Sequence, residues 1–368
     1  MVGDGAGFAP GRGVVVYFGG RLMRAVHQER YGAPEALVVV ERPSPEPGPG
    51  ELLIEVVASA VTQADRRLRA ADFPAFAVLP GRLALGLVGP RAGTPGTCFA
   101  GRVVAVGSAA SGSAASGARA SGSAAAGSGV AARDTAGLRV GDDVFGLVMH
   151  GAYAERLVVR ADGAVARMPA GCDHASAAAL AYGATGARYF VAQLGEAAAG
   201  DRVVVLGAAG GLGRYAVQVA AALGCEVVGV CRPERRDAVL ALGASRVVGP
   251  NEALSEPGGW DVVFDTTGAV RLWPWWRRLA PSGRLVTADV SVTRLLVMGV
   301  TAVGGGRRLR TGLAPDSRAG LEEVASLVER GALRPVVGAS FSLERIADAH
   351  RCLEAGGLEG DVVVATGA

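Results

Sequence analysis

The stretch with the most chemistry in it is VVVLGAAGGLGRYAVQVAAALGCEVVGVCRPERR, residues 203–236. A run of valines meets a glycine cluster, Gly207-Ala208-Ala209-Gly210-Gly211-Leu212-Gly213. A helix-like run and a second valine-rich run follow. Glycines in such a turn let the backbone come close to a diphosphate. The helix that follows offers unpaired N–H groups and about half a positive charge to the same place. The spacing is G-x-x-G-G-x-G, a slight departure from G-x-G-x-x-G. The strand before it and the helix after it supply the setting such a loop needs. The cluster therefore predicts a dinucleotide site centred on Gly207, Ala208, Gly210, Gly211, Leu212 and Gly213. A tight helix–sheet crossing without a ligand would use the same glycines.

The end of the second valine run bears on which dinucleotide. A carboxylate about 20 residues beyond the loop would hold a ribose 2′-hydroxyl. Here Cys231 and Arg232 stand at that end, with Arg235 and Arg236 close behind. Guanidinium forks without a carboxylate suit a 2′-phosphate. NADP(H) is thus expected over NAD(H), with Cys231, Arg232 and Arg236 at the phosphate end. Arg235 and Arg236 could equally face solvent on the helix that Pro233 opens, so Arg232 leads.

These residues need a scaffold. From about residue 167 strand-like and helix-like runs alternate. They are DRVVVLG, GLGRYAVQVAAALG, EVVGVC, PERRDAVLALG, SRVVG, WDVVFDTTG, AVRLWPWWRRLA read as a helix, and GRLVTADV. That alternation predicts a doubly wound parallel sheet. Before it lie short apolar runs between Pro/Gly turns: GELLIEVVASAV, GTCFAGRVVAVGS, GLRVGDDVFGLV and GAYAERLVVRADGAVARMP. They predict a small barrel-like domain. The tail from Gly320 holds a helix, a strand, a helix and a closing strand, and could return to that barrel. Ser/Ala/Gly repeats over 108–136 predict a flexible surface loop. Residues 1–22 read as an extension, with the fold beginning at Met23.

The bulk composition narrows the classes. At 368 residues, half of them apolar, two domains are the default. A net charge of +3, spread along the chain, offers no basic stripe for nucleic acid. Every basic residue is arginine, so Schiff-base and P-loop lysine chemistry are excluded. The cysteines Cys98, Cys172, Cys225, Cys231 and Cys352 are scattered without a CxxC pair, which fits a reducing cytoplasm. No apolar run reaches the length of a membrane span.

With those pieces in order, the chain resembles the zinc-independent medium-chain dehydrogenase/reductases, in their quinone oxidoreductase and double-bond reductase branch. The matching pieces are YGAPEAL, PSPEPGPGELLIEVVASAV, CFAGRVVAVGS, GLRVGDDVFG, GAYAERLVV, AAGGLGRYAVQVAAALG, LGASRVV, DVVFDTTG and GALRPVVGASFSLERIADAHRCLEAG. The resemblance runs from Met23 to the end of the chain. It implies an α/β protein with a GroES-like β-barrel domain, residues 23–166 and 313–368, around a Rossmann doubly wound parallel-sheet domain, residues 167–312. A homodimer and a cleft between the domains are implied too.

The zinc enzymes of that fold place metal ligands where this chain has Thr62 and Gln63, Thr97, and Cys98. A lone thiol without a histidine partner does not suit zinc, so metal-free hydride transfer is implied. The acceptor would be a quinone or an α,β-unsaturated carbonyl. By the same resemblance Thr185, Thr266, Thr267, Gly268, Asp289 and Val290 are expected along the cofactor, with Ser291 next to them. Tyr31, Thr62 and Asp65 are expected at the substrate. Many relatives carry Asn where Thr62 stands; a threonine can still donate to a carbonyl oxygen. The tyrosine and lysine of polyketide-type enoyl reductases are absent.

Segment 80–97 is longer and richer in glycine than in relatives, and Trp273, Trp275 and Trp276 form an unusual cluster. It reads as core or subunit contact, or as the wall of a large aromatic site. His27, His150, His174 and His350 have no motif around them, although His174 could cap a helix. Two other readings stay open: an NADPH-binding sensor or structural protein, and a redox-neutral cyclase on the same fold.

Overall fold

The computed structural model describes residues 21–73, 78–107, 137–269, 271–304 and 306–367. The expected loop over 108–136 and nearly all of the expected extension 1–22 lie outside the described residues. The first strand takes in Leu22, one residue ahead of the expected start.

The front half is organised by one long strand. β1 (Leu22–Gln28) and β2 (Leu37–Pro43) form an antiparallel hairpin. β3 (Glu51–Val61) then runs for eleven residues with nearly every side chain half-buried or buried. β3 pairs antiparallel with β4 (Cys98–Val106) and β6 (Arg156–Arg160), with irregularities between Leu53 and Ile54 and between Val56 and Ala58. Such bulges bend a strand so that it can serve several partners. β5 (Asp143–Leu147) and β7 (Val165–Arg167) continue the sheet. Leu52, Ile54, Val56, Phe99, Val103, Val144 and Leu157 fill its interior. Two short helices interrupt this half: α1 (Gln63–Ala70), straight after β3, and α2 (Val78–Leu85).

α3 (His174–Arg188) lies between the halves. It is alanine-rich and buried almost all round, as a helix packed on two layers must be. Asp173, rather than His174, caps it: its side chain accepts from the Ser176 N–H at 2.7 Å.

The second sheet contains β8 (Arg202–Leu206), β9 (Glu226–Val230), β10 (Arg246–Val248), β11 (Trp260–Asp265), β12 (Leu279–Thr287) and β13 (Arg308–Thr311). All neighbours are parallel, in the order β10-β9-β8-β11-β12-β13. The valine runs are explained by coverage on both faces. α4 (Gly211–Ala222) and α5 (Arg236–Ala241) connect the first strands. α6 (Leu272–Trp276) is far shorter than the helix expected over residues 269–280. The Arg278 carbonyl accepts from the N–H groups of Gly259 and Trp260, which draws the chain into the sheet at Leu279. Trp275 is buried and Trp276 half-buried in the core there, whereas Trp273 is exposed.

α7 (Val292–Ala302) and β13 were not legible as elements beforehand. After α8 (Arg318–Glu329), β14 (Val337–Ser342), α9 (Ile346–Ala355) and β15 (Asp361–Ala365), the chain closes on the first sheet. β15 pairs antiparallel with β3, setting Val362 beside Val61.

Candidate functional site

In the order of the parallel sheet, β8 and β11 are neighbours although β9 and β10 intervene in sequence. The chain therefore leaves β8 to one side and β11 to the other. That switch opens a crevice at the carboxyl ends of the strands, where α/β sheets take their ligands.

The glycine loop forms the floor. Gly207 has a φ of +81°, and an added Cβ would meet Thr266 Oγ1 at 2.6 Å. A Cβ on Gly213 would meet the Gly207 carbonyl at 2.1 Å. Both Gly207 and Ala208 donate their N–H to the Val230 carbonyl, which ties the loop to β9. Gly210 caps α4 with no side chain over the helix end, leaving the first-turn N–H groups open to an anion. Leu212 packs beside Gly186 of α3. This cradle fits a dinucleotide diphosphate because side chains would fill it.

The crevice lips are held by a network. Thr266 donates its hydroxyl to the Leu206 carbonyl at 2.8 Å. The buried Asp265 accepts from Thr267 N, Thr267 Oγ1 and Gly268 N at 2.8 to 3.1 Å. Arg294, in the first turn of α7, reaches across. Its guanidinium donates to the Gly268 carbonyl at 2.9 Å and to Thr287 Oγ1 at 3.2 Å, and it pairs with Asp289. It also lies 3.8 Å from Asp265. Val290 follows, half-buried, and Ser291 caps α7 through the Arg294 N–H. Thr266, Thr267, Gly268, Asp289 and Val290 thus line adjoining strand ends. Arg294 joins them, and nothing in a motif marked it.

At the end of β9, Cys231 is buried and its thiol is pushed up by desolvation. Arg232 and Arg236 are exposed, with no ion pair to any described residue. Arg235 is instead paired with Glu359. The two guanidinium groups assigned from sequence are therefore the open ones.

Where β3 gives way to α1, Thr62 and Asp65 are brought together. They form a reciprocal cap on α1: Asp65 N donates to Thr62 Oγ1 at 3.2 Å, and Thr62 N donates to Asp65 Oδ2 at 2.8 Å. The Thr62 hydroxyl also donates to Asp65 Oδ2, at 2.6 Å. Its hydrogen points inward, away from where a substrate carbonyl was expected to receive it. Asp65 is 2 % exposed, and burial raises its carboxyl above the usual range. Cys98 is fully buried with its thiol pushed well up by desolvation, as befits a small core side chain. Among the described residues no three His, Cys, Asp or Glu side chains gather as a metal site.

Tyr31 stands apart from this pair. Its hydroxyl donates to the Gly86 carbonyl at 3.0 Å and the Arg82 guanidinium lies 5.6 Å from its ring, so it is tied to the unusual segment after β3. Thr185 is buried, and its hydroxyl bonds back to the Ala181 carbonyl of its own helix at 2.5 Å.

Tyr182, which no sequence signal singled out, keeps 40 % of its surface open. Yet it is sunk among neighbours that raise its phenol to about 12, by desolvation first and then by Cys98 and Asp65. Its hydroxyl makes no hydrogen bond to a described residue. Burial likewise raises the carboxyl of Asp316, which faces both Cys98 and Tyr182.

Comparisons with known proteins agree with this architecture. Residues 48–170 match the alcohol dehydrogenase GroES-like domain, and residues 237–364 match the zinc-binding dehydrogenase family. A quinone oxidoreductase of Lama guanicoe is 28 % identical over 94 % of this chain and 98 % of its own. The quinone oxidoreductase of Coxiella burnetii has the same fold, with a TM-score of 0.76 at 24 % identity over 94 % of this chain and all of its own. A mycobacterial protein solved in complex with NADPH gives 0.70 at 26 % identity, over 94 % and 100 % of the two chains. The chain belongs to the medium-chain dehydrogenase/reductase superfamily, in its quinone oxidoreductase branch, a family of oxidoreductases that act on small molecules with a nicotinamide cofactor.

Proposed function

We propose that this protein is an NADPH-dependent, metal-free reductase of a quinone or an α,β-unsaturated carbonyl, with a tailoring step in secondary metabolism as a fitting setting. The observation that carries the cofactor choice is the pair of open guanidinium groups, Arg232 and Arg236, where a carboxylate would stand in an NAD site. The set Thr62, Thr97 and Cys98 does not suit zinc, which supports hydride chemistry without a metal. NADPH, when bound, supplies a hydride to an electron-poor carbon.

The chain's own residues do the rest. The glycine loop and the first turn of α4 hold the diphosphate. The Asp265–Arg294–Asp289 network fixes the lips of the crevice. Tyr182 presents a protonated phenol to an oxygen that gains charge as the hydride arrives. Thr62 and Asp65 form the polar floor beneath it.

Titration of the protein with NADPH and NADH tests the cofactor assignment. Substitution of both Arg232 and Arg236 by alanine is expected to weaken NADPH about 100-fold and to leave NADH unchanged. Equal losses for both cofactors would overturn the assignment. NADPH oxidation against a panel of quinones and enones tests the reaction. Tight NADPH binding without turnover would favour a binding-only protein or a redox-neutral cyclase.

We also propose that the protein pairs with a second copy through β13. Among the described residues that strand has one partner, β12, so its other edge is free. Leu296, Val300 and Val303, on and just after the neighbouring α7, are 67 to 88 % exposed. An unpaired edge beside an apolar face suits the same edge of another copy. Sedimentation is expected to show a dimer that Leu296→Glu/Val300→Glu dissociates. A monomeric wild type would refute the pairing.

A further inference from the structure

Behind the Thr62–Asp65 pair lies a set of buried polar atoms that the reaction as described leaves unused. Asp65 and Arg69 stand one turn apart on α1; His350 and Glu354 stand one turn apart on α9, which packs against α1. Tyr153 fills the space beside them, with its ring centroid 5.8 Å from that of His350, edge-on. Tyr153 is 0 % exposed, His350 1 %, Asp65 2 % and Arg69 3 %. Arg69 pairs with Glu354, whose side chain is one-third exposed, so the cluster begins at the surface and runs inward to the buried Asp65 beside Thr62.

The cluster is short of partners. Asp65 Oδ1, Tyr153 Oη, both ring nitrogens of His350 and Arg69 Nε are all buried without a hydrogen-bond partner among the described residues. An orphaned buried donor or acceptor costs about 1–3 kcal/mol, and folded proteins do not leave five such atoms together unsatisfied. Buried water makes two to four bonds to atoms of this kind.

We propose that ordered water links His350, Tyr153 and Asp65 into a proton path from the Glu354 side of the protein to the Thr62 hydroxyl. The path rests on the reductase reading above, and it names the source of the one proton that reaction takes up. When the hydride has reached the acceptor, the resulting enolate or quinol anion needs one proton. In the resting protein the Thr62 hydrogen lies on Asp65 Oδ2. For the transfer the hydroxyl turns it to the anion, the Thr62 O–H bond breaks as the new C–H or O–H bond forms, and Asp65 passes a proton to the Thr62 oxygen in the same movement. Asp65 is refilled through water from Tyr153 and His350, and one proton enters from solvent near Glu354. Nothing on the path is oxidised or reduced.

The chemistry of each link suits this. A neutral imidazole accepts on one nitrogen and releases on the other. His350 is held neutral, its pKa lowered to about 3 by desolvation and by Arg69. Burial holds the Tyr153 phenol well above its usual range, so it carries a hydrogen to pass on, and it shifts the Asp65 carboxyl towards its protonated form against the hydrogen bonds from Thr62 and Thr97. Arg69, always charged, holds Glu354 in place and does not conduct. Thr97, Cys98 and Tyr182 are the other groups facing Asp65.

Two experiments test the path. A crystal structure of the unliganded protein at about 1.5 Å resolution is expected to show water between Asp65 Oδ1, Tyr153 Oη and the His350 ring; a dry cluster overturns the proposal. In steady-state reduction, Tyr153→Phe and His350→Gln are each expected to lower kcat about tenfold and to raise its solvent isotope effect, with the NADPH Kd unchanged. The double variant should be no slower than the slower single one. Folded variants, shown by an unchanged thermal melt, that keep both kcat and the isotope effect refute the path. If the waters are present and no quinone or enone is turned over, the reductase reading falls while the hydrated chain stands.

Discussion

Gly213→Ala is expected to abolish measurable NADPH binding and to lower Tm by several degrees. The added methyl carbon would stand 2.1 Å from the Gly207 carbonyl and 2.9 Å from the Ala208 Cα, both backbone. No side chain can rotate away, so either α4 or the loop must move. Gly207 cannot yield easily, since its N–H is bonded to Val230 and its own φ is +81°. Overpacking of this kind costs about 1–3 kcal/mol, and more against rigid backbone. At a few degrees per kcal/mol for a protein of this size the shift in melting is readily measured. Gly210→Ala is the control for stability. There the new carbon would sit 3.2 Å from the same carbonyl, with φ near −74°, so its melt should stay close to wild type. A Gly213→Ala protein that binds NADPH normally would show that the loop is not the diphosphate cradle.

The second large effect is expected at Arg294, whose replacement by leucine should cost about 3–5 kcal/mol of stability. Arg294 is 8 % exposed, and its guanidinium lies between Asp289 and the almost fully buried Asp265. Leucine fills part of the volume but leaves two carboxylates facing one another, with one Asp265 oxygen already short of a hydrogen bond. The Gly268 carbonyl and Thr287 hydroxyl lose their partner as well. Urea denaturation reads the loss as a lower midpoint at an unchanged slope. Arg294→Lys should recover part of it, because a point charge cannot bridge the same set of oxygens. A leucine variant as stable as wild type would mean that the network is ornamental.

Legibility followed the range of the forces involved. The glycine loop, the valine strands and the returning tail are set by local pattern, and the sequence shows them. The helix expected over 269–280 is cut short because backbone bonds from Gly259 and Trp260, distant in the pattern, decide where it stops. α7 leaves no clear mark in the sequence because its apolar face is turned outward, which blurs the usual periodicity. Arg294 was invisible because its partners come from the ends of separate strands. Thr62 was found by type and place, but the direction of its hydrogen depends on Asp65, three residues on. Tyr182 looks like one more residue of an alanine-rich helix; only the packing sets it among Cys98, Asp65 and Asp316 with part of its surface open.

The pairing of β15 with β3 has a consequence for how the molecule comes into being. Translation delivers β3 early, but its neighbour β15 only near the end of the chain, so Val61 waits for Val362. Meanwhile the parallel sheet, confined to residues 202–311, has all of its strands in hand and closes over shorter loops. The nascent barrel must therefore hold an open edge on β3 while the nucleotide half condenses behind it. That edge is the stretch of backbone most in need of shelter on the ribosome.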